Sequence, residues 1–469
     1  MRLHNDLTRT LEPFTPLVPG RVTFYNCGPT VYDRIHIGNA RNLVVADTLR
    51  RYLRYKGYQV TFVQNFTDVD DKIIRRARQL GIGERELADQ MITEYFQDAD
   101  ALGVERADVH PRVTDHIPEI IEHIAALEAL GFAYVIPGDG VYYRVTRKPD
   151  YGKLSNRNLA ELQAGARVEV SAQKEHPMDF ALWKFQKEDE IAWDSPWGKG
   201  RPGWHIECSV MARRYLGDTL DIHAGGEDLI FPHHENEIAQ SEPVTGRPLA
   251  RFWIHNGMLT VGGTKMSKSE GNFWYLRDVL QRYSGEVVRF YLLSAHYRKP
   301  LEWSDDLVAA AKSGLERLHN AVHNLRHLAR TAERAEASDQ ERDLLADLIA
   351  RFRQRFQEAM DDDLNTALAQ AVLFDLATEC NRRIGPGASR ALAEEALALF
   401  RELGGVLGLL GSALAEEESL DAEIERLIAL RQAARKARNF AEADRIRDQL
   451  RAMGIILEDT PTGVRWRRA

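Results

Sequence analysis

The chain has 469 residues, 44% hydrophobic and 28% charged, which is long enough for two to four domains with sizeable cores. Its formal net charge is −8, so its composition excludes a uniformly basic nucleic-acid-binding surface. Three cysteines are too few for the disulfide framework of a secreted protein. The sequence contains neither an apolar run of roughly 20 residues, as a membrane span requires, nor a signal-peptide segment. We therefore expect a soluble cytoplasmic protein.

The first strong pattern is a strand–loop–helix unit near the N-terminus. Val22–Tyr25 is β-branched and aromatic, as in a strand, and from Ala40 apolar residues recur at helical spacing until Gly57. The loop between them places glycines beside a helix start, whose free N–H groups suit a phosphate-bearing ligand. The loop matches neither GxGxxG nor a Walker A motif, and an ordinary β–α turn remains the alternative.

A second β–α unit follows and is then interrupted. Val60–Phe66 reads as a strand, with Thr67 and Asp68 at its carboxyl end, where ligands of open α/β sheets bind. From about residue 77 to residue 201, helical segments lead into a hairpin that turns at Gly138-Asp139-Gly140. This break in the β–α rhythm predicts an insertion between two halves of a nucleotide-binding fold.

The second half ends in a loop rich in lysine and serine. The β–α pattern resumes at Gly203, with strands predicted at Leu220–His223 and Phe252–His255. A hairpin over Met258–Thr264 then leads into KMSKS at Lys265–Ser269. Two lysines among small hydroxyl residues make a cationic loop that can close on a triphosphate and neutralise charge during phosphoryl or adenylyl transfer. A solvated surface turn is the alternative.

The C-terminal third is predicted to be helical and then basic. Amphipathic Leu- and Ala-rich runs from Ser304 to about Leu410 indicate a helical bundle, and residues 412–420 are typical of a linker. From Arg426 to Ala469, eleven Lys/Arg against five Asp/Glu give a net charge of +6, which fits either local contact with a polyanion or a solvated helical face. A final hairpin places Trp466 between arginines, where it stacks a base or only packs the hairpin.

These elements predict an α/β fold. A Rossmann-like parallel-sheet catalytic domain carries an insertion and is followed by a helical bundle and a small mixed α/β C-terminal domain. The predicted bounds are 1–76 for the first half of the catalytic domain, 77–201 for the inserted connective domain, 202–303 for the second half, 304–411 for the bundle and 421–469 for the basic C-terminal domain.

Four side chains of types that zinc accepts as ligands are spread over the catalytic region: Cys27, Cys208, His233 and Glu237. His233 and Glu237 are four residues apart and share one helix face, whereas His234 points about 100° away on an ideal helix and is the poorer candidate. The spacing lacks a CxxC pair, so buried cysteines and a surface His–Glu contact remain alternatives. Cys380 lies in the predicted bundle without such partners and is interpreted as a core residue.

The motifs together resemble a known enzyme family. HIGN at His36–Asn39 and the KMSKS sequence resemble the HIGH and KMSKS signatures of class I aminoacyl-tRNA synthetases, with asparagine in place of the last histidine. An asparagine amide can still donate a hydrogen bond to phosphate. Cys27, GWHIECS at residues 203–209 and FPHHENE at residues 231–237 narrow the resemblance to the cysteinyl-tRNA synthetase family, over essentially the whole chain.

The resemblance implies a function and a set of site residues. The implied function is ATP-dependent activation of L-cysteine to cysteinyl-adenylate, followed by transfer to the 3′ end of tRNA(Cys), with one Zn²⁺ per chain and Mg²⁺ accompanying ATP. The implied zinc ligands are Cys27, Cys208, His233 and Glu237. The implied ATP contacts are His36, Gly38, Asn39, Gly225, Asp228, Lys265 and Lys268, of which His36, Asn39, Lys265 and Lys268 are catalytic. Gly28, Thr67 and Trp204 are expected to line the amino-acid pocket. We expect a monomer with no membrane partner.

Zinc also implies how cysteine is told from serine. A soft thiolate binds zinc directly, whereas a serine hydroxyl is a harder and far less acidic ligand, so a separate editing step is unnecessary.

Two alternative functions stay open at this point. A mycothiol-pathway cysteine ligase shares both motifs and the zinc site but lacks the tRNA-recognition extension. A non-catalytic RNA-binding relative would keep the basic tail and could lose the lysine loop or the ligands.

Overall fold

The computed structural model describes residues 1–159, 161, 173–187, 190–266, 272–414, 418–460 and 463–468. The chain forms two compact units, residues 1–309 with 359–367 and residues 310–358 with 368–469. This division is coarser than the predicted domain bounds, which stay predictions.

Strands and helices follow the predicted order along the described chain. The strands are β1 (Arg2–Asn5), β2 (Thr10–Pro13), β3 (Arg21–Asn26), β4 (Gln59–Gln64), β5 (Ala133–Ile136), β6 (Gly140–Tyr143), β7 (Phe180–Phe185), β8 (Gly200–Pro202), β9 (Leu220–Gly226), β10 (Ala250–Asn256), β11 (Leu259–Val261), β12 (Thr264–Lys265), β13 (Leu301–Glu302), β14 (Ile455–Thr460) and β15 (Gly463–Arg468).

The helices are α1 (Ile37–Tyr55), α2 (Asp71–Leu80), α3 (Glu84–Ala101), α4 (Ile117–Ala129), α5 (Trp204–Leu216), α6 (Glu235–Thr245), α7 (Leu276–Leu280), α8 (Gly285–Leu292), α9 (Asp305–Thr331), α10 (Asp339–Asp361), α11 (Thr366–Arg383), α12 (Arg390–Leu407), α13 (Gly411–Leu414), α14 (Glu418–Lys436) and α15 (Phe440–Ala452). Single 3₁₀ turns lie at Val113–Asp115, Val145–Arg147 and Glu227–Leu229, and a π-type turn lies at Ile230–His234.

A four-stranded parallel sheet forms the centre of the first unit. Its strand order is β10–β9–β3–β4, and α1 provides the crossover from β3 to β4. The strands are buried along most of their length, as expected for a parallel sheet covered on both faces. Tyr25 pairs with Val63 on one side and with His223 on the other. The carboxyl ends of the strands therefore meet at one edge, and the predicted Rossmann-like α/β fold is confirmed.

The predicted insertion is a separate antiparallel sheet. Strands β5, β6, β7 and β8 pair in that order, and the β5–β6 hairpin turns at Gly138 with a φ of 80°. A Cβ on Gly140 would come within 2.3 Å of the Trp183 carbonyl oxygen, so the close approach of β6 and β7 requires glycine there. Trp183 belongs to a buried cluster that also contains Trp253 of the parallel sheet, so both sheets share one core.

The second unit contains long helices and a terminal hairpin. Helices α14 and α15 pack with β14 and β15 around a small core that includes Leu427, Ile446 and Leu450. Trp466 packs against this core, and its Nε1 donates to Glu425 Oε1 at 2.9 Å, which supports the interpretation that it packs the hairpin. None of the described helices combines the length and the apolarity needed to span a bilayer.

A buried ion pair ties α1 to α8. The Asp47 carboxylate is 2% exposed and accepts hydrogen bonds from Arg289 Nη2 at 2.5 Å, Arg51 Nε at 2.8 Å and the Glu105 N–H at 3.0 Å. Burial alone would raise the pKa of Asp47, but the charges of Arg289 and Arg51 hold the pKa of this carboxyl below its usual value.

We expect Asp47→Asn to destabilise the chain by about 3–5 kcal/mol at pH 7, because Arg289 is left buried without its counter-charge. The folded-state pKa of Asp47 is depressed, so its contribution is complete above the unfolded-state pKa of about 3.9 and is lost as the pH falls through the folded-state value. Urea unfolding of both proteins should show a stability difference that shrinks below about pH 4. A difference that is constant with pH would contradict this role.

Candidate active site

A cleft of about 310 Å³ opens at the carboxyl edge of the parallel sheet. The loop after β3, the end of β9 and the segment after β10 each form part of its wall, and Met266 closes one side. Of the predicted site residues, the cleft is lined by Cys27, Gly28, His36, Gly38, Asn39, Thr67, Trp204, Cys208, Asp228 and His233. The sequence motifs that lie far apart in the chain thus meet at one site.

The HIGN sequence forms the first turn of α1. His36 is the N-cap: its Nδ1 accepts from the Asn39 N–H at 3.2 Å, and Asn39 Oδ1 accepts from the His36 N–H at 3.1 Å. This reciprocal capping box uses the amide oxygen of Asn39 and leaves its NH₂ group outside the box. A Cβ on Gly38 would lie 2.9 Å from the His36 ring, so glycine is required there. The positive end of α1 therefore faces the cleft.

The other predicted ATP contacts differ in whether they line the cleft. Asp228 lines the cleft, whereas Gly225 is not among the lining residues, and a Cβ on Gly225 would come within 2.8 Å of the His234 ring. The backbone of Lys265 pairs with Thr260 in the predicted hairpin. The side chain of Lys265 and the whole of Lys268 lie outside the described residues.

The three residues predicted for the amino-acid pocket lie together. The Gly28 N–H donates to Asn65 Oδ1 at 2.9 Å, and a Cβ on Gly28 would overlap the Asn65 carbonyl oxygen at 1.7 Å. Thr67 is 1% exposed at the end of the neighbouring strand. Trp204 stacks on His233 with ring centroids 4.3 Å apart and an interplanar angle of 27°. A flat aromatic wall therefore stands beside the cluster that contains His233.

The four predicted zinc ligands converge beside this wall, and one ligand atom from each lies within 4.8 Å of the others: Cys27, Cys208, His233 and Glu237. Cys27 Sγ lies 3.8 Å from Cys208 Sγ and 3.4 Å from Glu237 Oε1, and His233 Nε2 lies 3.0 Å from the same oxygen. All four residues are buried. Two sulfurs, one imidazole nitrogen and one carboxylate oxygen at this spacing fit a four-coordinate divalent metal ion.

The ionisable groups of the cluster shift one another's pKa values. A hydrogen bond from Cys27 lowers the pKa of Cys208 to about 6, whereas burial raises the pKa of Cys27 well above its usual value. Burial alone would raise the pKa of Glu237, but His223 and His233 lower it to about 2. Burial would lower the pKa of His233, but Cys208 and Glu237 raise it to about 10. The cluster thus favours positive charge at its centre, where a metal ion would replace the protons.

His234 lies closer to the cluster than predicted. Its Nε2 is 3.2 Å from Cys27 Sγ, and Cys27, His223, His234 and Glu237 form a second set of candidate ligands within 4.8 Å. The expectation that His234 points away was wrong because it overlooked the three-residue spacing from Glu237, which also places two side chains on one helix face; His234 Nε2 lies 3.8 Å from Glu237 Oε1. His233 and His234 belong to the π-type turn Ile230–His234, in which Phe231 is extended with φ −137° and ψ 131°.

Histidines that carried no predicted role also lie next to the cluster, His223 and His255 among them. His223 Nε2 lies 2.8 Å from Glu237 Oε2, and His255 Nε2 lies 2.7 Å from His234 Nδ1. On its other side, His255 Nδ1 lies 2.7 Å from Asp6 Oδ2. The available signal for these two was a histidine inside each of two largely apolar, mostly buried strands, β9 and β10, which are neighbours in the sheet.

Known protein families match nearly the whole chain. The tRNA synthetases class I (C) catalytic domain matches residues 13–313, the DALR domain residues 355–411, and the cysteinyl-tRNA ligase anticodon binding domain residues 417–467. A cysteine–tRNA ligase of Symbiobacterium thermophilum is 66% identical over 100% of both chains, and one of Geobacillus thermodenitrificans is 55% identical over 100% of this chain and 99% of its own. Methionyl-tRNA synthetase of Mycobacterium tuberculosis, solved with methionyl-adenylate, shares the fold with a TM-score of 0.61 at 17% identity, over 86% of this chain and 93% of that one.

Proposed function

This chain belongs to the cysteine–tRNA ligase family of class I aminoacyl-tRNA synthetases, and on that premise we propose that it activates L-cysteine with ATP and transfers it to tRNA(Cys). The observation that carries the proposal is the buried Cys27–Cys208–His233–Glu237 cluster, three of whose members line the same cleft as the first turn of α1. A thiol-binding centre and a phosphate-binding helix end therefore share one site.

The first step requires correct positioning of the two substrates and stabilisation of the phosphate charge, and it does not require a general base. The cysteine carboxylate attacks the α-phosphorus of ATP, an oxygen–phosphorus bond forms, and the bond to the β,γ-diphosphate breaks and releases pyrophosphate. Because the carboxylate is already a nucleophile, its alignment and the neutralisation of phosphate charge determine the rate. We assign His36 and Asn39 to the phosphates and Lys265 and Lys268 to pyrophosphate, with Mg²⁺ accompanying ATP. Gly38, Gly225 and Asp228 complete the proposed ATP site.

The second step transfers the cysteinyl group to tRNA. A hydroxyl of the 3′-terminal adenosine attacks the carbonyl carbon of the adenylate, and AMP leaves. The C-terminal residues 417–467 match an anticodon binding domain, and residues 426–469 carry a net charge of +6. This match favours the tRNA ligase over a mycothiol-pathway ligase, which lacks such an extension. The intact ligand cluster disfavours a non-catalytic relative.

The ligand cluster supplies the basis of amino-acid selection. We assign Cys27, Cys208, His233 and Glu237 to one Zn²⁺, which when bound is a soft Lewis acid that binds a thiolate and stabilises its ionised form. The substrate thiol enters past Gly28, Thr67 and Trp204. Serine presents a harder, less acidic oxygen to the same place. A monomeric state and a cytoplasmic location remain predictions.

The test is ATP–pyrophosphate exchange with the purified full-length protein. Cysteine should support exchange, and serine should do so with a kcat/KM lower by at least about 10⁴-fold, as expected when a site requires one specific ligand group. The same protein should attach cysteine to a tRNA(Cys) transcript. Comparable exchange with serine would contradict selection by the thiol, and exchange without tRNA charging would support the mycothiol-type ligase instead.

A further inference from the structure

Arg41 is a buried cation on α1 that no step of the proposed reaction uses. It lies two residues after Asn39, and its side chain is 0% exposed. Its guanidinium donates to four backbone carbonyls, those of Gly257, Met258, His296 and Lys299, at 2.7, 2.9, 3.3 and 2.5 Å. These acceptors are all uncharged, so Arg41 is held by peptide groups and not by a salt bridge.

The four carbonyls belong to two segments on the far wall of the cleft. Gly257 and Met258 line the cleft and connect β10 to the β11–β12 hairpin, which carries Lys265. Residues 296–299 lead from α8 towards β13, which pairs with β11. The Arg41 side chain therefore joins α1 to the base of the β11–β12 hairpin.

Every backbone N–H and carbonyl group of Gly257 and Met258 makes a hydrogen bond. The Gly257 N–H donates to the Tyr297 carbonyl at 2.8 Å, and the Met258 N–H donates to Glu227 Oε1 at 2.8 Å. A Cβ on Gly257 would come within 2.8 Å of the Lys299 carbonyl group, so the segments are in close contact. Both carbonyls of this dipeptide accept from Arg41, and each has a second donor, Asn256 Nδ2 for Gly257 at 3.2 Å and the Leu301 N–H for Met258 at 3.0 Å. Removing Arg41 therefore cuts both direct links to α1 and leaves the indirect one, in which Asn42 Nδ2 donates to Asn256 Oδ1 at 3.0 Å.

The geometry requires an arginine and not merely a positive charge. A guanidinium is a planar fork with five donors, whereas a lysine ammonium is a single nitrogen on a flexible stem. In Arg41 one terminal nitrogen serves Gly257 and Met258, and the other serves the 296–299 segment. A single nitrogen cannot occupy both places.

We propose that Arg41 is a positioning residue for ATP, which sets the separation between the His36–Asn39 turn and the Gly257–Met258 wall of the nucleotide cleft. Arg41 does not itself line the cleft, so it acts through the groups that do. The inference rests on the proposed function only for the identity of the nucleotide.

The test compares Arg41→Met and Arg41→Lys with a matched control on the same helix. Arg50 is nine residues further on, which places it on the opposite face of α1, and it is 2% exposed. It donates to the Arg106 carbonyl at 2.5 Å and to Asp108 Oδ1 at 3.0 Å, away from the cleft. Arg50→Met therefore removes an equally buried arginine without touching the cleft wall.

Three quantities are measured: the Kd for ATP by calorimetry without cysteine, the KM values for ATP and cysteine in pyrophosphate exchange, and the Tm. We expect both Arg41 variants to raise the Kd and KM for ATP at least about tenfold, with the KM for cysteine within about twofold of wild type. Arg50→Met should lower the Tm and leave the Kd for ATP within about twofold. Arg41→Lys keeps the charge and serves if Arg41→Met fails to fold.

Unchanged ATP affinity in the Arg41 variants would overturn the proposal. An equal loss of ATP affinity in Arg50→Met would also overturn it, because the effect would then be general destabilisation. Wild-type affinity in Arg41→Lys would show that charge alone matters, which contradicts a positioning role. If the wild type failed to catalyse cysteine-dependent exchange, the proposed function would fail, while the ATP-binding comparison would still test Arg41.

Discussion

Cys208→Ser is expected to lose its bound zinc and, with it, cysteine-dependent pyrophosphate exchange. A zinc ligand must be deprotonated, and a serine hydroxyl at this position stays protonated where the Cys208 thiol, with a pKa lowered to about 6, ionises readily. Losing an outer-shell partner of a metal typically reduces affinity or activity about 10–100-fold, so losing a direct ligand should cost at least about 100-fold. Metal analysis of the purified variant and its exchange rate measure both effects.

Cys380→Ser is the matched control. Cys380 is as buried as Cys208, at 1% and 2% exposed, but it lies on α11 in the second unit and belongs to neither candidate ligand set. Burying a hydroxyl there should reduce stability by about 1–3 kcal/mol without changing metal content. Full zinc occupancy and activity in Cys208→Ser, or equal metal loss in Cys380→Ser, would contradict the ligand assignment.

Lys268→Ala is expected to slow adenylate formation by about 10²–10³-fold, the usual effect of removing one donor that stabilises transition-state charge. Lys268 is two residues after Met266 and five residues before Phe273 in the sequence, and both of these residues line the cleft. We therefore expect its ammonium to neutralise charge on the departing pyrophosphate. Single-turnover formation of cysteinyl-adenylate is the measurement.

Zinc content separates this role from that of the ligand cluster. Lys268→Ala should retain the zinc of the wild type, because a lysine on the pyrophosphate side does not hold the metal. Lys312→Ala, which removes an exposed lysine from α9, should leave the rate of adenylate formation unchanged. Loss of zinc from Lys268→Ala would show that this residue has been assigned to the wrong part of the site.

Much of the fold was predictable because its signals are local. The strand before HIGN, the helical period after it and the Gly-turned hairpins correspond to β3, α1 and the β5–β6 and β11–β12 pairs. Each depends on residues within one or two turns of chain. The division of the helical region was harder to predict, since residues 359–367, which span the end of α10 and the start of α11, belong to the first unit although they lie within the predicted bundle.

The ligand set was only partly predictable because it depends on tertiary placement. Their residue types made Cys27 and Cys208 candidate ligands. Only the pairing of β3 with β9 and the packing of α5 bring their two sulfur atoms to 3.8 Å from each other. For His234 the prediction considered only its direction relative to His233, whereas His234 and Glu237 are three residues apart and also share a helix face. His223 carries no motif, and its contact with Glu237 follows from its strand register.

The most direct test of thiol capture is zinc K-edge absorption spectroscopy of the protein with and without cysteine. Two sulfurs at about 2.3 Å are expected from Cys27 and Cys208 alone, and a third at the same distance when L-cysteine is added, since zinc accommodates a fifth ligand. L-serine should leave the sulfur count at two. A count that stays at two with saturating cysteine would contradict direct binding of the substrate thiol to zinc.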